Sequence, residues 1–139
     1  MENKSETKNI FHVKLINGKF TKPKKLFDVN THVEVVDAEP ALAPDGTYMI
    51  FYSAGRPDQM GEGMLGDLYI SFRKKDGSWT TAQNMKENIN TVQEENWPVI
   101  SPDGKYIFFC SNIDSKNGYP DIYWVDARII EEFKPDKLN

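Results

Sequence analysis

Two histidines, one cysteine and a scatter of aspartates are the residues of this chain that could do chemistry. A hydrolytic triad needs a nucleophile on a strained turn with a base within reach. His12 and His32 stand in unrelated sequence surroundings, and neither Ser nor Cys occupies such a turn, so no catalytic residue is assigned and no enzymatic activity is expected. His12 reads as a strand residue. Cys110 closes the apolar run Tyr106-Ile107-Phe108-Phe109-Cys110 and has no second cysteine to pair with, so it reads as a packed small hydrophobe. In Asn112-Ile113-Asp114-Ser115-Lys116-Asn117-Gly118, side-chain oxygens alternate ahead of a glycine, as in a calcium loop. The closing bidentate Glu is missing and Lys116 stands among the would-be ligands, so the segment reads as a solvated loop. No metal and no cofactor are expected.

The aspartates fall into pairs. Asp45 and Asp103 occupy the same Pro-Asp-Gly turn (Pro44, Asp45, Gly46 and Pro102, Asp103, Gly104), where Asp caps nearby backbone N–H groups. Asp67 and Asp121 each open an Asp-x-Tyr segment, which suggests a recurring hydrogen bond to a neighbouring strand or turn. Residues that recur in register serve the fold before they serve chemistry.

That recurrence organises the chain. Glu39-Pro40-Ala41-Leu42-Ala43-Pro44-Asp45-Gly46-Thr47-Tyr48-Met49-Ile50-Phe51-Tyr52-Ser53 returns as Trp97 to Ser111 at a spacing of 58, and Asp67-Leu68-Tyr69-Ile70 returns as Asp121-Ile122-Tyr123-Trp124 at a spacing of 54. A third, partial copy runs from Ile10 to Thr21. Each unit reads as four short strands: residues 40–43, a tight turn in which Pro presets φ and Gly supplies a positive one, residues 47–53, a long loop, residues 67–73, the Lys75-Asp76-Gly77 turn, and a last strand from Trp79. Strands this short bury little alone, so neighbouring meanders must stack face to face, and radial stacking makes a β-propeller. The expected fold is all-β, a partial propeller of about two blade equivalents. Residues 1–9 form a disordered lead, 10–26 strands three and four of one blade, 40–85 a full blade, 98–127 strands one to three of the next, and 128–139 a C-terminal tail. Within that tail the apolar residues Ile129, Ile130 and Phe133 fit a short amphipathic helix, with a fourth strand as the other possibility.

The pattern Pro-x-x-Ser/Ala-Pro-Asp-Gly-x-Tyr-x-x-Phe-x-Ser followed by Asp-x-Tyr resembles the TolB-type, WD-repeat-like propeller repeat over about residues 10 to 127. The resemblance implies a bacterial, periplasmic or extracellular protein that docks protein partners. Propellers of this repeat type also gate prolyl-oligopeptidase-like peptidases. Asp76-Gly77-Ser78-Trp79-Thr80 resembles the Asp-box turn of sialidase propellers, shorter by one residue; in that family the turn is structural. The family's propellers usually close with at least ~4 blades, more than this chain holds, so the native protein is expected to be longer or subunits to complete one another.

Meander topology sends the short turns to one end of each blade and the long links to the other. Long loops on a rigid scaffold collect binding residues, so the long-loop end is the expected working face. It carries Arg56, Asp58 and Glu62 from one blade, Asn112, Asp114 and Asn117 from the next, and Trp97 at the end of a long link, a position suited to the mouth of a central channel. Tyr48, Tyr106, Phe51, Phe109, Tyr69, Tyr123 and Trp124 read as aromatic filling between blades.

Composition narrows the function. Seventeen basic against 21 acidic residues leave a net charge of −4 over 139 residues, which disfavours nucleic acid and anionic lipid. An apolar content of 39% with 27% charged residues fits a soluble globular domain, and no run approaches a membrane span. The N-terminus, MENKSETKN, has no apolar stretch of the length a signal peptide needs. The expected function is a non-enzymatic binding or protein-interaction scaffold. Protein partners or self-association are expected, through exchange of strands between chain ends. The alternatives are a peptidase-gating propeller fragment and a carbohydrate-binding propeller.

Overall fold

The computed structural model describes residues 7–26, 29 and 35–136. His32, the Asn30-Thr31 pair and most of the proposed disordered lead lie outside them. Lys8, assigned by sequence to that lead, forms a parallel bridge with Val36 and accepts a hydrogen bond from the Asp37 N–H (3.1 Å).

Four short strands open the chain: β1 (Phe11–His12), β2 (Leu15–Ile16), β3 (Lys19–Phe20) and β4 (Lys24–Lys25). β2 pairs with β3 and β1 with β4, making one interrupted hairpin. Its tip is Asn17-Gly18, both at positive φ (50° and 76°), the two-residue turn whose twist matches that of paired strands. The hairpin occupies the residues of the partial repeat copy.

The central blade is the four-stranded antiparallel sheet β5 (Val36–Leu42), β6 (Tyr48–Ala54), β7 (Asp67–Phe72) and β8 (Gln83–Asn84), paired in chain order. The last strand is shorter than its sequence suggested. Trp79 forms an isolated β-bridge with Arg73, and ladder pairing resumes at Gln83. The second blade is the three-stranded sheet β9 (Glu95–Ile100), β10 (Tyr106–Ser111) and β11 (Asp121–Asp126). After it the chain turns through a short 3₁₀ helix, Ala127–Glu132, instead of a fourth strand, with Ile129, Ile130 and Phe133 packed against the core. Asp126 caps that segment by accepting from the Arg128 N–H (2.9 Å). Gln83 then ties it to the central blade by donating to the Phe133 carbonyl (2.9 Å).

Stacking explains why every residue of β6 and β7 is buried. Successive side chains of a strand alternate between faces. Met49, Phe51 and Tyr69 point to one side, where Ile10, Leu26, Val29 and Trp79 meet them. Tyr48, Ile50, Leu68, Ile70 and Phe72 point to the other, against Ile107, Phe109, Tyr123 and Val125 of the second blade and Phe133 of the tail. The order is therefore hairpin, central blade, second blade, an all-β partial propeller of about two blade equivalents.

The repeat holds in atomic detail. Phe51 stacks on Tyr69 with centroids 6.2 Å apart, and their counterparts Phe109 and Tyr123 stack at 6.0 Å. Both Pro-Asp-Gly turns line a single small cleft of about 220 Å³, so they stand at the same end of adjacent blades. Gly46 (φ 72°) and Gly104 (φ 71°) supply the left-handed conformation each turn requires. Asp45 accepts from the Thr47 N–H (3.0 Å) and Asp103 from the Lys105 N–H (3.1 Å), the capping role their repetition indicated. The hydroxyls of Thr47 and Ser101, which donate to Asp45 and Asp103, and then those backbone bonds, hold both carboxyls below their ordinary range. Among the described residues no helix is long and apolar enough to cross a membrane.

Candidate functional site

At the long-loop end, the side chains singled out by sequence divide into fixed and free. Arg56 is buried. Its guanidinium pairs with Asp37 (2.9 Å), donates to Ser53 Oγ (2.7 Å) and the Val29 carbonyl (2.8 Å), and lies over the Tyr69 ring at 4.7 Å. In the second blade Glu95 replaces Asp37 and Ser111 replaces Ser53, but Asp114 stands at the register of Arg56. Without a cation, Glu95 is satisfied instead by hydroxyls of Ser111 (2.6 Å) and Thr91 (2.8 Å) and by the Thr91 N–H (2.8 Å). The buried acid–serine pair joining strands one and two is thus a repeat feature that sequence inspection missed. The spacing of 58 between Asp37 and Glu95 was the available signal.

Asp58 and Asp114 are exposed but engaged in the same way. Each accepts from the hydroxyl of its own blade's Asp-x-Tyr tyrosine, Tyr69 to Asp58 at 2.8 Å and Tyr123 to Asp114 at 3.0 Å. Each bond pins the long loop to strand three. Asp67 is fully buried, accepting from the Met60 N–H (2.7 Å) and from Asn84 Nδ2, and burial raises its carboxyl above the ordinary value. Asn90 acts as a surrogate strand for Leu68, accepting from its N–H and donating to its carbonyl, both at 2.9 Å. Asp121 is exposed at the head of β11, and among the described residues no fourth strand pairs with β11. Glu62 and Asn117 are exposed, and Asn112 is half-buried. Among the described residues no group of three or more His, Cys, Asp and Glu side chains is placed to hold a metal ion.

Trp97 is exposed and sits at φ 49°, on a bulge where the register of β9 shifts. Glu39, its repeat counterpart, has φ 55° on the matching bulge of β5. A cleft of about 690 Å³ lies at the opposite, short-turn end, between Asp45, Tyr48, Arg73, Lys105, Arg128 and Lys134. Its charges are mixed, and Arg128 is already paired with Asp126 (2.7 Å).

The second blade also carries an exposed apolar surface. On the second blade, Val99, Phe108 and Trp124 are register partners across β9, β10 and β11, and all three face solvent, together with Ile122 and Tyr106. Their counterparts on the central blade face the second blade: Ile50, Ile70 and Leu68 are fully buried where Phe108, Trp124 and Ile122 are 36%, 61% and 75% exposed. Cys110 lies in the same strand, half-buried beside Ile122, and burial pushes its thiol above the ordinary range, away from the reactive thiolate. Contiguous exposed apolar faces of this kind commonly mark interaction sites. The aromatic filling expected between blades is therefore realised by Tyr48, Phe51, Tyr69, Phe109 and Tyr123, while Tyr106 and Trp124 meet each other edge-on at 5.3 Å on the uncovered side.

No protein family and no curated protein matches the chain. Among solved structures it is similar to TolB from Acinetobacter baumannii, at 19% sequence identity and a TM-score of 0.45. The match covers 88% of this chain and 28% of that one, so the chain spans less than a third of that protein's length.

Proposed function

We propose that this chain is a non-enzymatic binding scaffold of the propeller type, and that it docks polypeptide through the outer face of the second blade. The observation that carries the reading is the exposed row Val99, Phe108 and Trp124, continued by Ile122, on a sheet whose other face is core. A flat row of aromatic and β-branched side chains on rigid strands has the composition of an interface centre, where large rings bury much area at little entropic cost. The loop residues contribute chiefly by holding the scaffold: Arg56 by its buried ion pair, Asp58 and Asp114 by their tyrosine bonds.

The test is selection of peptides from a displayed library on the purified chain, read by the fluorescence of Trp124 and repeated with Trp124→Ser. Selected sequences should bind the wild type and lose binding to the variant. Binding to a glycan array with none to polypeptide, or peptide hydrolysis by the purified chain, would overturn the reading.

A further inference from the structure

We infer that the outer face of the second blade receives the N-terminal hairpin of a second copy of this chain, head to tail; the inference rests on the docking role just proposed for that face. The template is the interface inside the chain. There, the face bearing Ile50, Leu68 and Ile70 on the central blade is covered by Ile107, Phe109 and Tyr123 of the following unit. Phe108, Ile122 and Trp124 repeat the first set, so the surface they form fits the side of a blade that looks back toward its predecessor.

The hairpin presents such a side. Ile10 and Leu26 pack on the central blade, while Phe11, Val13, Leu15 and Phe20 remain exposed. Charge makes the match directional. Residues 10–26 contain five lysines and no acidic residue, whereas residues 95–126 contain five acidic residues and two lysines. Asp121 of the second blade is exposed, as are Lys14, Lys19 and Lys24 of the hairpin; Asp103 and Asp126 are also exposed but pair within the blade's own end with Lys105 and Arg128. Opposite charges steer the two ends together and oppose hairpin–hairpin or blade–blade pairing. A contact between unlike surfaces is heterologous: it closes into a ring or continues as an open assembly.

Analytical ultracentrifugation of the full chain at tens of micromolar reads the outcome, with Trp124→Glu altering the receiving face and Phe11→Glu the inserting face. Both positions are solvent-exposed, so the variants should keep the wild-type circular dichroism spectrum. The wild type should assemble and each variant alone should be monomeric. An equimolar mixture should restore a one-to-one dimer, because each partner retains one intact face. Raising the salt concentration should weaken the association. A monomeric wild type, or a Phe11→Glu chain that still assembles, overturns the inference. Peptide selection on Phe11→Glu, whose second-blade face is unaltered, separates the two ideas: peptide binding lost on adding Trp124→Ser, with no assembly of the wild type, defeats the self-docking alone. Neither binding nor assembly defeats both.

Discussion

The backbone N–H of Trp97 donates to Oε2 of Glu39 at 2.8 Å, joining two residues that occupy the same place in successive repeats. Each is the left-handed residue of a bulge in the first strand of its blade. A bulge leaves an N–H outside the ladder, and stacking brings the preceding blade's bulge near enough for its side chain to accept that N–H.

Removing the acceptor tests the link. Glu39→Ala should lower stability by about 1 kcal/mol, the net value of one hydrogen bond, and Glu39→Gln should lose less because its amide oxygen still accepts. Urea midpoints at constant slope give the comparison. Equal losses in the two variants would show that the cost comes from packing and not from the bond to Trp97.

Adjacent phenylalanines should respond very differently to truncation. Phe109→Ala empties a place between the blades and should cost on the order of 3–5 kcal/mol, whereas Phe108→Ala, on the uncovered face, should stay within about 0.5 kcal/mol for the monomer. Thermal or urea unfolding of both variants measures the contrast. A loss below about 1 kcal/mol for Phe109→Ala would place its ring outside the core.

The ion pair under the central blade should be costly to break and inexpensive to replace. Arg56→Ala leaves Asp37 buried without its cation and should destabilise by about 3–5 kcal/mol, while the double change Asp37→Leu with Arg56→Met should recover most of that loss. If the double variant is no better than Arg56→Ala, the hydrogen bonds to Ser53 and Val29 matter more than the charge pairing.

Asp67 predicts a pH dependence of definite sign. Burial raises its folded-state value above the ordinary 3.8, so the folded chain holds the proton more tightly than the unfolded chain does. Its contribution is then most favourable below 3.8 and declines as pH rises through the higher folded value. Stability of the wild type relative to the non-titrating Asp67→Asn should therefore fall between acid and neutral pH. A relative stability that rises instead would mean that the bonds from Asn84 and the Met60 N–H outweigh the burial.

The sequence by itself determined what short-range physics controls. Pro-Asp-Gly forces a tight turn because Pro presets one φ and Gly permits another, and alternation along Tyr48 to Ser53 and Tyr106 to Ser111 defines two strand faces from neighbours alone. The repeat then implied stacked meanders, and the all-β stack of hairpin and blades follows that pattern. Loop side chains were less legible. Arg56 and Asp114 share a register, yet one is locked beneath the central blade and the other is held by a tyrosine, because partners such as Asp37 and Tyr123 arrive from distant strands. The faces show the limit most directly. Ile50 and Phe108 have the same repeat neighbours and the same strand geometry, but Ile50 is covered and Phe108 is not. Burial is a property of what packs against a side chain, and that is decided by how whole sheets stack.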